Sequence, residues 1–280
     1  MIRIVTDTTS CIPIEMMQAM GIDFVPQFIT FGSHSYNDVN EISTEEFLNK
    51  LRASKQLPGT SAPPPSLYYP IFEKILAAGD QALVLAPTAE LSGTFRSATL
   101  AAEEFDKSRI EIIDTRTIVG NLGSMVIKAH EWANAGMNLE EIKMRILDLS
   151  ARDATYFLVP TMEYLHKGGR IGNAAKMFGT ILQIVPILTL NEGKIDVYEK
   201  VRSLKQAIRT LVDLNVEICN DNPDASLTLG QCDSDLLVEQ ISEQFKERLN
   251  MENIPGYTAA PAIVVHTGPG LAVTSCFRKA

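Results

Sequence analysis

A short apolar run that leads into a helical pattern is the feature that most constrains the fold of this chain. Residues 82–86 are all apolar, which is typical of a buried strand, and apolar residues recur at helical spacing over residues 98–105. Ser92, Gly93 and Thr94 stand between the two patterns. Serine is a favoured N-cap, and the amide groups of a helix N-terminus attract an anion. We therefore predict a strand followed by a helix that begins at Ser92. The N-terminus of this helix either binds an anion or is only capped by the Ser92 side chain.

Strand and helix patterns alternate through the first 150 residues. Residues 2–6 and 109–114 read as further strands, and two S/T/N-x-x-E capping boxes begin helices at Ser43 and Asn138. Such alternation favours a parallel or mostly parallel sheet with helices on both faces. At 280 residues the chain is long enough for two compact lobes. We assign residues 1–153 to an N-terminal α/β lobe.

The pattern changes near Asp153. Residues 156–159, 195–200, 226–230 and 262–265 read as strands, and a final apolar strand follows. Helical patterns lie among them, so residues 154–280 are predicted to form a C-terminal α/β lobe with a mixed sheet. The fold class is therefore α/β with two lobes.

Composition and motifs exclude several classes of function. The chain is 45% hydrophobic with a formal net charge of −9, which argues against a nucleic-acid surface and against binding to an anionic membrane. No apolar run is long enough to span a bilayer, and the first residues lack the pattern of a signal peptide, so we expect a cytoplasmic protein without stable membrane insertion. Its four cysteines are widely spaced, which predicts free thiols and no metal site. Neither a G-x-x-x-x-G-K-S/T loop nor a G-x-G-x-x-G motif after a strand is present, which disfavours an ATP or NAD site.

Polar side chains follow several of the predicted strands. Residues 7–10 (DTTS) end the first strand, Thr60 and Ser61 precede three prolines that fix the backbone, and His266 follows the strand predicted at 262–265. In α/β proteins, ligands usually bind near the carboxyl ends of the strands. These side chains could bind a ligand, or they could only form turns and structural hydrogen bonds.

Two further segments carry possible ligand contacts. Lys167 and Arg170 flank a glycine pair, a turn that could hold a carboxylate or phosphate or could simply end a helix. Residues 174–190 contain too many apolar side chains for all of them to lie along one narrow face of a helix. They predict either a helix buried on several sides or one wall of an apolar cavity.

Taken in order, these motifs resemble the DegV family of fatty-acid-binding proteins over essentially the whole chain. The resemblance rests on six segments: DTTS, TSAPPPS, SGTFRSA, LVPTMEYLHKGGRIGN, PILTLNEGKIDVYEKVRS and HTGPG. Ala62 stands where the family usually has glutamine, and Thr9 stands where a small residue is common.

The resemblance implies a function. An acyl chain would lie in an apolar tunnel between the lobes, and the protein would be the carrier subunit of a bacterial fatty acid kinase, with no catalytic residue, cofactor or ATP site of its own. A separate ATP-dependent subunit would convert the carboxylate to acyl phosphate for phospholipid synthesis. The carboxylate would be bound by Thr60 or Ser61, Ser92, the Gly93 amide and His266.

The resemblance also implies roles outside the carboxylate site. Arg170 and Arg202 match recurrent basic positions, and Arg202 would serve the encounter with the kinase or the transferred phosphate. The acyl tunnel is predicted to include four residues of the apolar segment: Met177, Phe178, Ile181 and Leu182.

Two other functions stay open at this point. Ser92, His266 and Asp7 supply the residue types of a serine hydrolase, although L-S-G-T is not a G-x-S-x-G elbow. A module that binds a small non-lipid anion could use the same helix terminus. A shallow polar pocket would favour that module, whereas a long apolar one would favour the acyl carrier.

Overall fold

The first half of the chain alternates mainly between strands and helices, as its sequence predicts. The structure is a computed structural model that describes residues 1–177 and 184–280, with Met177 described for its backbone alone. The strands of the first half are β1 (Ile2–Asp7), β2 (Asp23–Val25), β3 (Phe28–Phe31), β4 (His34–Asn37), β5 (Gly59–Ser61), β6 (Gln81–Ala86) and β7 (Ile110–Asp114). The helices of this half are α1 (Ile14–Met20), α2 (Thr44–Ala53), α3 (Tyr69–Ala77), α4 (Thr94–Ala102), α5 (Val119–Asn134) and α6 (Leu139–Ala151).

The second half begins with a strand at Asp153. Its described strands are β8 (Asp153–Leu158), β9 (Val185–Asn191), β10 (Lys194–Val201), β11 (Thr228–Cys232), β12 (Gly256–Thr258) and β13 (Leu271–Phe277). Its described helices are α7 (Glu163–Lys167), α8 (Leu204–Cys219), α9 (Asp235–Leu249) and α10 (Pro261–Thr267).

A four-stranded parallel sheet forms the centre of the first half, in the order β2-β1-β6-β7. Its strands are apolar on both sides: Ile4 packs with α5 and α6, and the next residue, Val5, packs with α3 and α4. Strands buried on both faces read as continuous apolar runs, as residues 82–86 do. The predicted parallel sheet with helices on both faces is confirmed.

A small antiparallel sheet, in the order β4-β3-β5, was not expected from the sequence. The apolar run of residues 23–31 reads as one strand, but Pro26 divides it into β2 and β3, which belong to different sheets. Proline has no amide proton for a ladder and restricts the residue before it. The pairing of β3 with β5 places Ile29 opposite Thr60, so a regular ladder holds Thr60 in position.

The second half contains a six-stranded sheet in the order β10-β9-β8-β13-β11-β12, with β11 and β12 parallel and the other pairs antiparallel. The predicted mixed sheet is therefore confirmed. One face packs on α8 and α9 through residues such as Tyr156 and Leu211. The opposite face carries Phe157 and Val273 and belongs to a core shared with residues of the first half.

The strand predicted at residues 262–265 is wrong, because this segment lies in helix α10. Four consecutive apolar residues do not distinguish a buried strand from a buried helix. Pro261 occupies the first turn of the helix, where its missing amide proton costs nothing. His266 therefore lies on a helix and not at a strand end, and the final strand begins at Leu271.

Helix α5 connects the two halves. It contacts β1 and the 3₁₀ turn Thr8–Ser10 of the first half, and β11 and β13 of the second. At Gly123 the helix approaches the turn closely, because a Cβ atom there would lie 2.6 Å from the Ser10 carbonyl oxygen. Only a residue without a side chain allows this contact.

We predict that Gly123→Ala destabilises the protein. In an exposed helix this change would stabilise by roughly 1 kcal/mol, but here the added methyl group meets backbone, and overpacking costs about 1–3 kcal/mol. Urea unfolding should therefore show a lower free energy for the variant. Glu131→Ala, at an exposed position of the same helix, serves as the control and should change stability by less than about 0.5 kcal/mol. A Gly123→Ala protein as stable as the wild type would contradict this packing.

Candidate functional site

A largely apolar cavity lies where the two halves meet. It encloses about 720 Å³, counted together with the solvent at its mouth. Residues of both halves line it, and six of its polar or charged lining residues are Thr9, Gln27, Thr60, Ser92, Arg170 and His266.

The remaining walls are mainly aliphatic and aromatic. They include Ile118, Phe157, Leu165, Leu190, Ile195 and Val273. Leu190 and Ile195 belong to β9 and β10, so part of the apolar segment of residues 174–190 does line the cavity, but as a strand. The mainly apolar lining is unlike that of the shallow polar pocket expected of a small-anion module.

A buried hydrogen-bond network lies beside Ser92. The Thr94 hydroxyl donates to Asp7 Oδ2 over 2.8 Å, and Gln27 Nε2 donates to the same oxygen over 2.6 Å and to Thr94 Oγ1 over 2.8 Å. Ser92 Oγ lies 3.0 Å from Thr94 Oγ1 and accepts from the Thr94 amide over 3.3 Å. Because Thr94 gives its single proton to Asp7, the Ser92 proton remains available to Thr94 Oγ1 or to a ligand.

One buried carboxyl group, that of Asp7, and one half-buried carboxyl group, that of Asp38, anchor this network without an ion pair in the described parts of the chain. Asp7 also accepts from the amide and the hydroxyl of Thr9, and burial raises its pKa while these hydrogen bonds oppose the shift. Asp38 accepts from the Thr8 hydroxyl and, over 2.8 Å, from the backbone N–H of Gln27. Burial raises the pKa of Asp38 to about 7, so this side chain titrates near neutral pH.

His266 and Thr60 form a second polar pair. Thr60 Oγ1 lies 2.8 Å from His266 Nε2, although 206 positions separate the two residues. Burial, reinforced by the nearby Arg170 charge, lowers the pKa of His266 to about 4, so the ring is neutral at pH 7. Nδ1 is buried and has no partner in the described structure. We assign the proton to Nε2, since a buried N–H without an acceptor is rarer than an unpaired lone pair, and Thr60 then keeps its own proton for a ligand.

Arg170 lies at the boundary between the cavity and the surface. Its Nε donates to the Leu91 carbonyl over 3.2 Å and its Nη1 to the Gly168 carbonyl over 2.8 Å. Arg170 and Ser92 line both the cavity and an open groove that also includes Gly93 and Arg96. The polar end of the cavity is therefore adjacent to the protein surface.

The structure brings together some of the predicted carboxylate contacts and not others. Thr60, Ser92 and His266 line one cavity, whereas Ser61 is exposed and absent from its lining. Gly93 lies in the outer groove. The prediction that α4 begins at Ser92 is wrong by one position, because Gly93 is the N-cap, although Ser92 Oγ still accepts from the first-turn amide of Thr94.

Arg202 is not part of the cavity lining. It is exposed at the end of β10, and its backbone amide donates to Gln206 Oε1 over 3.3 Å. The predicted tunnel residues Phe178, Ile181 and Leu182, and the side chain of Met177, lie outside the described residues.

Sequence reasoning missed Gln27 as a site residue. It is the one amide side chain within an apolar run between two short strands, and it is 4% exposed. A polar residue in such a run can signal a buried hydrogen-bond role. Its partners Asp7 and Thr94 lie 20 and 67 positions away, so no local pattern indicates them.

The arrangement does not form a hydrolase triad. A serine nucleophile needs a base within hydrogen-bond reach, and the base needs an orienting carboxylate. Within the described residues, His266 hydrogen-bonds Thr60 rather than Ser92, and Asp7 bonds Thr9, Gln27 and Thr94 rather than His266. The serine hydrolase interpretation therefore lacks its geometry.

The described residues offer neither a metal site nor a membrane-spanning helix. No group of three or more His, Cys, Asp or Glu side chains in the described ranges could hold a metal ion. Among those same residues, none of the helices has the length and apolar character needed to cross a bilayer.

Comparison with known proteins gives consistent matches over the whole chain. A sequence model of the DegV family, described as uncharacterised protein, matches residues 1–278. A DegV domain-containing protein of Caldanaerobacter subterraneus subsp. tengcongensis is 32% identical over 97% of this chain and 96% of its own length.

Solved structures show the same fold. A DegV family protein from Thermus thermophilus, described for its fatty acid binding, has a TM-score of 0.93 and 29% identity over 99% of both chains. DegV from Bacillus subtilis, described as a fatty acid binding protein, has a TM-score of 0.88 and 25% identity over 99% of both chains.

We predict that Asp38 makes stability depend on pH between about pH 4 and pH 7. Its folded-state pKa of about 7 exceeds the ordinary 3.8, so the folded state binds more protons in this window and stability falls as pH rises. The free energy of unfolding should decrease by up to about 1.4 kcal/mol per pH unit from this group. Asp38→Asn should remove that part of the slope in urea unfolding at several pH values. Parallel wild-type and variant curves would show that Asp38 is not the group responsible.

Proposed function

Because the chain belongs to the DegV family, we propose that it binds a long-chain fatty acid in the cavity between residues 1–153 and 154–280. The observation that carries this proposal is an apolar cavity that is lined by hydroxyl and imidazole groups and that shares Ser92 and Arg170 with a groove at the surface. The Thr60 and Ser92 hydroxyls would donate to the carboxylate, and neutral His266 would hold Thr60 in its donating orientation. Relatives described as fatty acid binding proteins support the choice of ligand.

The acyl chain supplies most of the affinity in this proposal. Burying about fifteen methylene groups at roughly 0.8 kcal/mol each contributes on the order of 12 kcal/mol before the costs of association. Two or three hydrogen bonds to the carboxylate replace bonds to water and contribute less. The carboxylate contacts thus chiefly fix which end of the ligand faces the surface.

The site suits presentation of the carboxylate to another protein better than chemistry of its own. Neutral hydroxyl donors leave lone pairs of the carboxylate accessible, whereas a bidentate arginine would engage both oxygens. The open groove that shares Ser92 and Arg170 with the cavity gives a path to these oxygens.

We further propose that a separate ATP-dependent kinase subunit uses this path. A carboxylate oxygen would attack the γ-phosphorus of ATP bound to that subunit, so that ADP leaves and an acyl phosphate forms. Arg170, at the groove, would contact the transferred phosphate, and exposed Arg202 would contact the kinase. The acyl phosphate would then enter phospholipid synthesis.

The ligand itself provides the first test. Protein expressed in bacteria and examined by native mass spectrometry should carry a long-chain fatty acid, because the apolar lining of the cavity favours a ligand with a long hydrocarbon chain. Protein that is reproducibly empty and cannot be loaded with any such acid would refute the proposal.

Thr60→Val should weaken fatty acid binding. The change keeps the shape of the side chain but removes a donor to a carboxylate, which is typically worth about 1.5–3 kcal/mol, or roughly a 10- to 100-fold higher Kd. Ser61→Ala is the matched control, because Ser61 is the exposed neighbour on the same strand. Equal losses in the two variants, measured with a fluorescent acid, would argue against Thr60 as a carboxylate contact.

Arg202→Ala should separate binding from transfer. We expect fatty acid affinity to stay within about twofold of the wild type and acyl phosphate formation with ATP and the kinase to fall by about tenfold, the effect of losing one interfacial charge contact. Arg209→Ala removes an exposed arginine from the helix that follows and is the control. If the Arg202→Ala protein no longer bound fatty acid, the proposed role of Arg202 in contact with the kinase alone would be contradicted.

A further inference from the structure

Two of the four cysteines lie side by side in the second half of the chain. Cys219 is the last residue of helix α8, and Cys276 is the residue before the end of strand β13. Both pack in the apolar core between α8 and the six-stranded sheet. All four cysteines are free thiols, so this pair is reduced in the structure.

Hydrogen bonds on both sides of the cysteine pair hold the end of α8 against β13. Four residues before Cys219, Asn215 Nδ2 donates to Thr274 Oγ1 over 2.9 Å. Three residues after Cys219, Asn222 Nδ2 donates to the Phe277 carbonyl over 2.8 Å. The backbone N–H of Asn222 also donates to the Cys219 carbonyl over 3.1 Å. Cys219 therefore lies between two points at which this segment is fixed to the strand.

The Cys276 thiol points from the strand toward the same helix. It donates to Asn215 Oδ1 over 3.3 Å and shares its proton with the Cys219 sulfur, to which it also forms a hydrogen bond. Two cysteines can form a disulfide only where their side chains point at each other, and a hydrogen bond between the two thiols meets that condition.

The two thiols differ in ionisation and in exposure. The hydrogen bond from Cys276 lowers the pKa of Cys219, which is half-buried and is followed by exposed Asn220. The same hydrogen bond, together with burial, raises the pKa of Cys276, which is fully buried. A thiolate rather than a thiol attacks an oxidant, so Cys219 is the residue of the pair that reacts first.

We propose that Cys219 and Cys276 form an oxidation site, at which hydrogen peroxide converts the two thiols to a disulfide. The Cys219 thiolate attacks one peroxide oxygen, the O–O bond breaks, and a sulfenic acid and hydroxide result. The Cys276 sulfur then attacks the Cys219 sulfur, so that the S–S bond forms, the S–O bond breaks and water leaves. The two sulfur atoms lose two electrons to the peroxide, and both thiol protons end in the two water molecules.

Oxidation of Cys219 also prepares Cys276 for the second step. The thiolate of Cys219 accepts the Cys276 proton and raises the pKa of that thiol, whereas a sulfenic acid is neutral. Cys276 therefore loses its proton more readily once Cys219 is oxidised. The disulfide joins the end of α8 to the strand whose Leu271 and Val273 line the cavity.

Mass spectrometry of the full-length protein tests the site. Reduced wild-type protein is treated with hydrogen peroxide, denatured and alkylated, and its peptides are mapped without reduction. A disulfide between Cys219 and Cys276 should appear, the intact protein should lose about 2 Da before alkylation, and dithiothreitol should reverse the change. Cys11 and Cys232 should remain thiols, because burial raises their pKa values to about 12 and about 11.

Three variants separate the two steps of the oxidation. Cys219→Ser should react with peroxide at least about tenfold more slowly than the wild type, because the thiols that remain are buried and protonated. Cys276→Ser keeps a hydroxyl donor beside Cys219 but removes the second sulfur, so a sulfenic acid should persist at Cys219, where dimedone traps it. Cys232→Ala is the control and should form the disulfide at the wild-type rate.

Several outcomes overturn the oxidation site. They are a wild-type protein whose four cysteines are all alkylated after peroxide treatment, a disulfide between any other pair, a sulfinic acid at Cys219 in place of the disulfide, and a Cys219→Ser protein that is oxidised as fast as the wild type. None of these measurements involves a fatty acid, so a negative result here leaves the proposed function unaffected.

Discussion

The buried carboxylate of Asp7 fixes the polar end of the cavity. An ionised group without solvent is costly unless hydrogen bonds or a counter-ion compensate for it. Here the described compensation comes from hydrogen bonds of Thr9, Gln27 and Thr94, which belong to three separate segments of the chain. Satisfying one carboxylate therefore brings three segments together, and Ser92, two residues before Thr94, is positioned with them.

This constraint also determines the electrostatic character of the site. With Asp7 and Asp38 nearby, a carboxylate ligand would enter a region that already contains two acidic side chains. Neutral hydroxyls hold such a ligand weakly compared with a guanidinium pair, and the His266 ring hydrogen-bonds Thr60 rather than the ligand. Weak contacts at the carboxylate and a mainly apolar lining fit the proposal that a ligand is retained by its hydrocarbon chain.

The sequence predicts correctly those features whose interacting residues lie close together in the chain. The capping boxes at Ser43 and Asn138 form as expected, because each needs a partner only three residues away. The segment 262–265 was wrongly assigned to a strand, since its burial is compatible with either element. His266 nevertheless lines the cavity with Thr60. The location of this segment brings the ring there, whether the segment is a helix or a strand.

The sequence by itself determined the α/β class, the parallel first sheet, the mixed second sheet and several polar residues that line the cavity. These follow from periodicity, capping and hydroxyl-rich turns, all of which act over a few residues. Only the tertiary structure decided that Gln27 joins Asp7 to Thr94, that Ser61 faces away from the cavity, and that Cys219 and Cys276 meet between α8 and the second sheet. These contacts depend on sheet order and register, which are set by packing between distant segments.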